Sequence, residues 1–290
     1  MIEGGVNNAE QYLHAIVLIC TSSTSTFDWP ALSPLTYKPK YAMLKLYGHY
    51  GSQPFRSVAW LLKMKKEPFE VISINPMKGE NRSKNYRAKF PLGLIPAIED
   101  DPGDGRTIAL SEASAIMIYL CDKNKWNDMY PSSINNPSDL RQRALINEYI
   151  SHHNESTRLM TRNVIRPGLR GLFAAEGNLS PGMTHALSKS PADLVKLKST
   201  IRDTAKRFQH KFLANSRGSS NFIVGDNPTI ADLLAYPDLA QIPQILGIDY
   251  SEWPELEELR QWLDRMAKLP YHDDVHRTTI KIGKLYQSKL

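Results

Sequence analysis

Residues 94–120 gather several groups able to bind a ligand at one point in the chain. Leu94-Ile95-Pro96-Ala97-Ile98 and Ile108-Ala109-Leu110 are short apolar runs joined by Asp100-Asp101-Pro102-Gly103-Asp104-Gly105, the pattern of a β-hairpin with a loop. Ser111-Glu112-Ala113-Ser114 then opens an apolar segment to Leu120 that reads as a buried helix. A strand that delivers the chain onto a helix N-terminus leaves unpaired N–H groups and partial positive charge there, and such an end suits a carboxylate. Pro96, at the start of a strand, cannot donate to the ladder. With a cis bond before it, Ile95 would offer its own N–H and C=O to an extended, peptide-like ligand.

Other reactive residue types carry less. His152-His153 with Glu155 suggests a metal, but adjacent helical residues diverge on the surface and no third ligand is close in sequence, so no metal site is expected. Cys20 and Cys121 are too few for a disulfide framework, and there is no Cys-x-x-Cys; Cys121, inside the apolar run, reads as a small core residue. Thr229 and Asp232 have the spacing of a capping box, so the Asn227-Pro228-Thr229-Ile230-Ala231-Asp232 stretch reads as structural.

The elements around these groups follow in order. Ala42 to Tyr47 reads as a strand, Gly51 to Met64 as a helix with Pro54 in its first turn and Val58, Leu61 and Leu62 on one stripe, and Phe69 to Ile74 as a second, parallel strand. The polar Lys78 to Tyr86 segment reads as loop and short helix. Together residues 42–124 spell β-α-β-α-β-β-α: a thioredoxin-like layout with a mixed four-stranded sheet. Pro131 to Pro137 lacks periodicity and marks a linker. Beyond it only helical spacing appears, in Asp139 to Arg166, Ala192 to Leu213, Ile230 to Tyr236 and a helix opened by Trp253-Pro254. The second half is therefore expected to be an all-helical bundle. Its basic, apolar tail Ile280 to Tyr286 either lies over the cleft between the halves or hangs free.

Four motifs in register now point to a family. Ser52-Gln53-Pro54-Phe55-Arg56 after the first strand, Leu94-Ile95-Pro96-Ala97 before the hairpin, Ser111-Glu112-Ala113-Ser114-Ala115-Ile116 opening a helix, and Gly225-Asp226-Asn227-Pro228-Thr229-Ile230-Ala231-Asp232 in the helical half resemble the cytosolic glutathione transferases. The Ser-Gln-Pro-x-Arg form is similar to the theta class. The resemblance implies glutathione as co-substrate, with no bound cofactor, lying extended against Leu94, Ile95 and Pro96. It implies Ser52 as the hydroxyl that binds the thiolate, with Gln53 beside it. Glu112 matches the acidic residue facing the γ-glutamyl ammonium, and the next position, usually a serine that holds the γ-glutamyl carboxylate, is Ala113; Ser114 lies about a hundred degrees further round the helix. Asn81 and Arg82 stand where theta enzymes carry a His-Lys pair near the glycine carboxylate, and Glu155 and Arg158 where an acidic residue and an arginine face the cleft. Without the resemblance, Ser52 reads as a plain N-cap, Asn81 and Arg82 as solvated loop, and Glu155 with Arg158 as an i, i+3 surface ion pair.

The implied function is conjugation of the glutathione thiolate to apolar electrophiles, with peroxidase activity on organic hydroperoxides as a companion. The alternative is a non-catalytic module that keeps the fold for protein contacts, motivated by Ala113, Asn81 and the extra N-terminal segment. The resemblance also implies a homodimer. With 36 basic and 30 acidic residues the net charge of +6 is spread without a basic block, which mildly favours small anions and does not call for nucleic acid.

Residues 1–40 are read as an extension. Tyr12 to Cys20 is apolar but too short to span a bilayer, and no Lys or Arg precedes Lys38, so a secretory or mitochondrial leader is incomplete. The extension is expected to be disordered or loosely packed, with a degenerate targeting signal as the alternative to a cytoplasmic location. The expected division is therefore 1–40 extension, 41–126 glutathione-binding domain, 127–137 linker and 138–290 helical substrate-binding domain.

Overall fold

The computed structural model describes residues 43–132, 136–163, 191–213 and 220–287, all within one unit, Tyr41–Leu290. The expectations for residues 1–40 lie outside the described residues.

Strand β1 (Leu44–Gly48) pairs in parallel with β2 (Phe69–Ser73), and helix α1 (Gln53–Met64) makes the crossover. A short helix α2 (Lys84–Lys89) leads to β3 (Ala97–Asp100) and β4 (Ile108–Ser111), an antiparallel hairpin, and then to α3 (Ala113–Asn124). The sheet order is β2-β1-β3-β4, with β1 and β3 antiparallel. The hairpin loop folds on Asp101, whose Oδ1 accepts the N–H groups of Gly103 at 2.8 Å and Gly105 at 3.0 Å. This is the mixed sheet and element order expected of the first half.

Helices α4 (Pro137–Glu155), α5 (Pro191–Phe208), α6 (Ile230–Gln241), α7 (Glu257–Ala267) and α8 (His272–Gln287) form the second half. Every residue of α6 is buried, and α1 of the sheet half packs directly on it. Val58, Leu61 and Leu62 are fully buried in the core that runs through both halves, as their spacing predicts. Among the described residues no helix is long and apolar enough to cross a membrane.

Three boundaries differ from the sequence reading. The expected helix over Asp139 to Arg166 ends at Glu155, because Ser156 (φ −130°, ψ −82°) leaves helical geometry; residues 157–163 are helical again, and residues 164–166 lie outside the described set. The expected linker 127–137 begins as packed structure: Met129 and Tyr130 are 2% exposed, and Met129 C=O accepts the Ile230 N–H at 3.1 Å, docking the stretch on the start of α6. Apolar side chains at 129 and 130 outweigh the lack of periodicity; residues 133–135 fall outside the described set. The tail does not hang free up to residue 284. Helix α8 packs along Ile242–Leu246 and α1, so closely that a Cβ on Gly283 would sit 1.7 Å from the Gln244 carbonyl oxygen.

Candidate functional site

Strand register alone brings the candidate residues together. Ala97 pairs with Tyr47 on one side and with Ser111 on the other. The loop that follows Gly48, the Ile95-Pro96 bond that precedes Ala97, and Glu112 that follows Ser111 therefore sit at one end of three adjacent strands. Strand β2 ends there too, with Ser73 opposite Gly48. Two strand spacings from β1 to β4 amount to about 10 Å, which is also about the reach of an extended tripeptide.

Ser52 occupies the N-cap position of α1 with extended geometry (φ −86°, ψ 127°), yet its hydroxyl makes no cap bond. Its backbone does the structural work: the carbonyl accepts the Arg56 N–H at 3.1 Å and the N–H donates to His49 O at 2.9 Å. The hydroxyl is left without a partner among the described residues, at a helix end whose first turn contains no acidic side chain. Ser52 is thus the N-cap of α1 by its backbone, as the plain reading has it, while its side chain makes no cap bond. The preceding turn requires Gly48: at φ +149° its backbone suits glycine, and a Cβ would lie 2.4 Å from the Phe55 ring.

The Ile95-Pro96 bond is cis. Its approach is fixed from below: Tyr86 Oη donates to Leu94 O at 2.7 Å, and Asn81 Nδ2 donates to Gly93 O at 2.7 Å. Burial pushes the Tyr86 phenol up to about 12, so it stays a donor. Tyr47, Tyr86 and Phe90 pack together beneath this loop, Tyr47 edge-on to Tyr86 and both rings tilted against Phe90, in a small second core with Ala97. Among the described residues, Ile95 N–H and C=O carry no hydrogen bond, as a peptide-binding edge needs. Leu94 is 47% exposed beside it.

Glu112 caps α3 with a backbone at φ +74°, ψ 114°, a region that non-glycine residues rarely occupy. Its side chain is exposed and makes no cap bond, so the local structure gains nothing from the glutamate. A backbone strained in this way persists only where the surrounding structure holds it. Ala113 follows as a buried first helical residue and Ser114 is half-buried. No acidic residue lies in the first turn of α3, so its N-terminal charge is open to an anion.

The remaining candidates divide. Arg82 is exposed in the short turn Glu80–Arg82, while Asn81 braces Gly93 and so shapes the loop. Gln53 and Arg158, expected at the ligand, are engaged with protein. Gln53 Nε2 donates to Gln241 Oε1, and Arg158 Nη1 donates at 3.0 Å both to Gln53 Oε1 and to Asp238 Oδ1. Glu155 is exposed and forms no pair with Arg158 among the described residues, because the break at Ser156 moves the arginine onto the next helical segment. Sequence reasoning missed Asp238. It is 2% exposed at its side chain, is held by Arg158 and by His153 Nε2 at 3.2 Å, and carries no motif that singles it out. Burial pushes its carboxyl up, but Arg158 and His153 prevail and hold it below the ordinary range.

Two further expectations can be placed. Cys121 is fully buried, and burial pushes its thiol up to about 12, as suits a core residue. Among the described residues no three His, Cys, Asp or Glu side chains cluster as a metal site; His153 is committed to Asp238 and Tyr149, and the His152 ring packs tilted against Phe212. A groove of about 570 Å³ lined by Met64, Lys65, Asp128, Val224 and Asp226 lies at the opposite end of α1 from Ser52. Twelve residues of helix put these ends about 18 Å apart, so it is separate from the site.

A thioredoxin-like half with a peptide-sized, anion-favouring edge, joined to a helical half, defines the class. Residues 46–127 match the family described as glutathione S-transferase, N-terminal domain, and residues 187–270 match glutathione S-transferase, C-terminal domain. Human glutathione S-transferase theta-2 is 31% identical over 210 residues, 72% of this chain and 75% of that protein. Glutathione S-transferase T3 of Arabidopsis thaliana is 30% identical over 247 residues; these are 82% of this chain but only 37% of that longer protein. The solved structure of a human theta-class glutathione transferase, in complex with the glutathione conjugate of 1-menaphthyl sulfate, superposes with a TM-score of 0.65 at 25% identity, covering 86% of this chain and 91% of that one. The chain belongs to the glutathione S-transferase family, and its likeness is to the theta class.

Proposed function

We propose that this protein conjugates the glutathione thiolate to apolar electrophiles. The observation that carries the reading is the Ser52 hydroxyl: it stands at a cap position, is not used as a cap, and lies at the sheet end it shares with the free Ile95 backbone and the strained Glu112. The glutathione conjugate held by the human theta-class relative supports it. In this reading residues 41–126 bind glutathione and residues 138–290 hold the electrophile.

Glutathione lies extended across the ends of β1, β3 and β4. Ile95 pairs with its backbone, with Leu94 and Pro96 forming the wall; Glu112 takes the γ-glutamyl ammonium, and the N–H groups of Ala113 and Ser114 take the γ-glutamyl carboxylate. Arg82 supplies charge for the glycine carboxylate. Ser52 O–H donates to the sulfur and favours the thiolate over the thiol, whose proton passes to solvent; each unit of lowered thiol pKa takes about 1.4 kcal/mol of differential stabilisation. The sulfur lone pair forms the new bond to the electrophilic carbon as the leaving group departs with its electrons. In the companion reaction the sulfur attacks the terminal oxygen of a hydroperoxide, the O–O bond breaks and the alcohol departs, and a second glutathione converts the resulting sulfenic acid to the disulfide with release of water. A homodimer acting in the cytoplasm completes the reading.

Ala113 favours a second reading. A lost hydrogen bond to a charged group is worth about 1.5 to 3 kcal/mol, and a protein that gave up glutathione would keep the fold as a binding module. Calorimetric titration with glutathione separates the two. Heat with saturable binding, and a conjugation rate that falls about a hundredfold in Ser52→Ala with affinity nearly kept, fits the transferase. No heat at millimolar glutathione assigns the module.

A further inference from the structure

The turn between β1 and α1 holds a titratable group that the proposed chemistry does not use. His49 is half-buried, and it braces this turn twice: its Nδ1 accepts the Gly51 N–H at 2.9 Å, and its carbonyl accepts the Ser52 N–H at 2.9 Å. Gly51 is seated against the ring closely enough that a Cβ there would stand 2.8 Å from Nδ1. Because Nδ1 accepts, the neutral imidazole carries its proton on Nε2. An imidazolium has N–H on both nitrogens, so on charging, Nδ1 stops accepting and two donors face each other.

We propose that His49 is a positioning residue for Ser52, setting the hydroxyl in place through the Gly51 bond while its imidazole is neutral and releasing the turn when it is charged. This rests on the reading of Ser52 as the thiolate-binding hydroxyl, although the brace itself does not depend on glutathione. The charged group that acts on the ring is Arg56 on α1. This residue is fully buried and donates to Tyr50 O at 3.0 Å within the same turn and to Pro237 O of α6 at 3.2 Å. Burial first, and Arg56 second, make His49 harder to protonate than an ordinary histidine, so the brace survives to below its usual value of 6.5.

The test uses the full chain and two readouts. In the ligand-free protein, the Gly51 amide resonance is followed by NMR from pH 7.5 to 4.5 alongside the His49 ring. The two should move with one midpoint below 6.5, and in His49→Asn, whose side-chain oxygen accepts from the N–H two residues on without titrating in this range, the amide should hold still. The second readout is kcat/KM for conjugation, taken as the ratio of wild type to His49→Asn across the same range. Thiol ionisation is common to both and cancels, so the ratio should fall about tenfold per pH unit below the His49 midpoint, with His49→Ala losing kcat rather than KM at pH 7.5. A Gly51 amide that titrates apart from His49, or a flat ratio, overturns the proposal. If glutathione gives no heat, the transferase reading fails on its own while the amide titration still decides the brace.

Discussion

Arg158 donates at 3.0 Å to the Oε1 of Gln53, the residue next to Ser52, and in the same geometry to Asp238 on α6. The helix that presents the candidate nucleophile-binding hydroxyl is thus tied to the helical half by a guanidinium with two acceptors. Gln241 closes the arrangement, taking the Gln53 amide on its oxygen and giving its own amide to Thr161 Oγ1 at 3.3 Å.

Removing that guanidinium leaves a buried carboxylate without its strongest partner. Arg158→Ala should cost about 3 to 5 kcal/mol, read as a lowered urea midpoint, and Arg158→Lys should recover part of it without the two-acceptor geometry. A loss indistinguishable from zero would show that solvent replaces the arginine.

The same carboxylate sets an acid limb. Asp238 is held below its ordinary value of 3.8, so its contribution is fully present above that value and is lost as pH falls through the lowered folded value. Thermal unfolding followed from pH 6 to 3 should therefore fall more steeply in wild type than in Asp238→Asn below about pH 4. Parallel curves would remove Asp238 as the cause.

Glu112 separates stability from binding. Its backbone at φ +74° is one that glycine adopts freely, and its side chain makes no cap bond. Glu112→Gly should raise stability by about 1 to 2 kcal/mol, the relief of strain less the entropy that glycine loses on folding, while weakening glutathione binding. A variant that melts no higher than wild type contradicts the strain.

Ala113 has the complementary test. Ala113→Ser restores a hydroxyl at the first residue of α3 and should tighten glutathione binding about tenfold or more by calorimetry. Equal affinities would mean that the backbone donor alone holds the carboxylate.

Asp232 carries the helical half. It takes the Ile223 N–H at 2.9 Å, the Thr229 N–H at 3.0 Å and the Trp262 Nε1–H at 3.0 Å, all buried. Asp232→Ala should cost about 3 to 5 kcal/mol, because four desolvated donors, the Thr229 hydroxyl at 3.1 Å among them, lose their acceptor, whereas Asp232→Asn keeps one oxygen and should lose less. A change under about 1 kcal/mol in the alanine variant would contradict this.

Much of this was legible beforehand because it rests on local rules. Period and turn chemistry placed the strands and α1, and the Thr229 to Asp232 spacing gave the capping box seen in the structure. The place of the cis bond, Ile95-Pro96, was readable because proline marks its own position. What escaped depends on partners distant in sequence. Nothing near Gln53 announces Gln241, 188 residues on, and Asp238 sits in an apolar helix with no neighbour that explains its charge. Met129 and Tyr130 read as linker because burial against α6 has no local period, and the break at Ser156 has no proline or glycine to signal it.

The contact between α1 and α6 is apolar in the main, but its register is keyed by hydrogen bonds, with Arg56 Nη2 reaching the Pro237 carbonyl and Gln53 reaching Gln241. An oily joint tolerates sliding and repacking; a joint keyed by matched donors and acceptors does not. Hybrids that graft the sheet-bearing half of one relative onto the bundle of another should therefore assemble well only when residues at both ends of these bonds travel together, so that the two halves of this protein behave as a matched set rather than exchangeable parts.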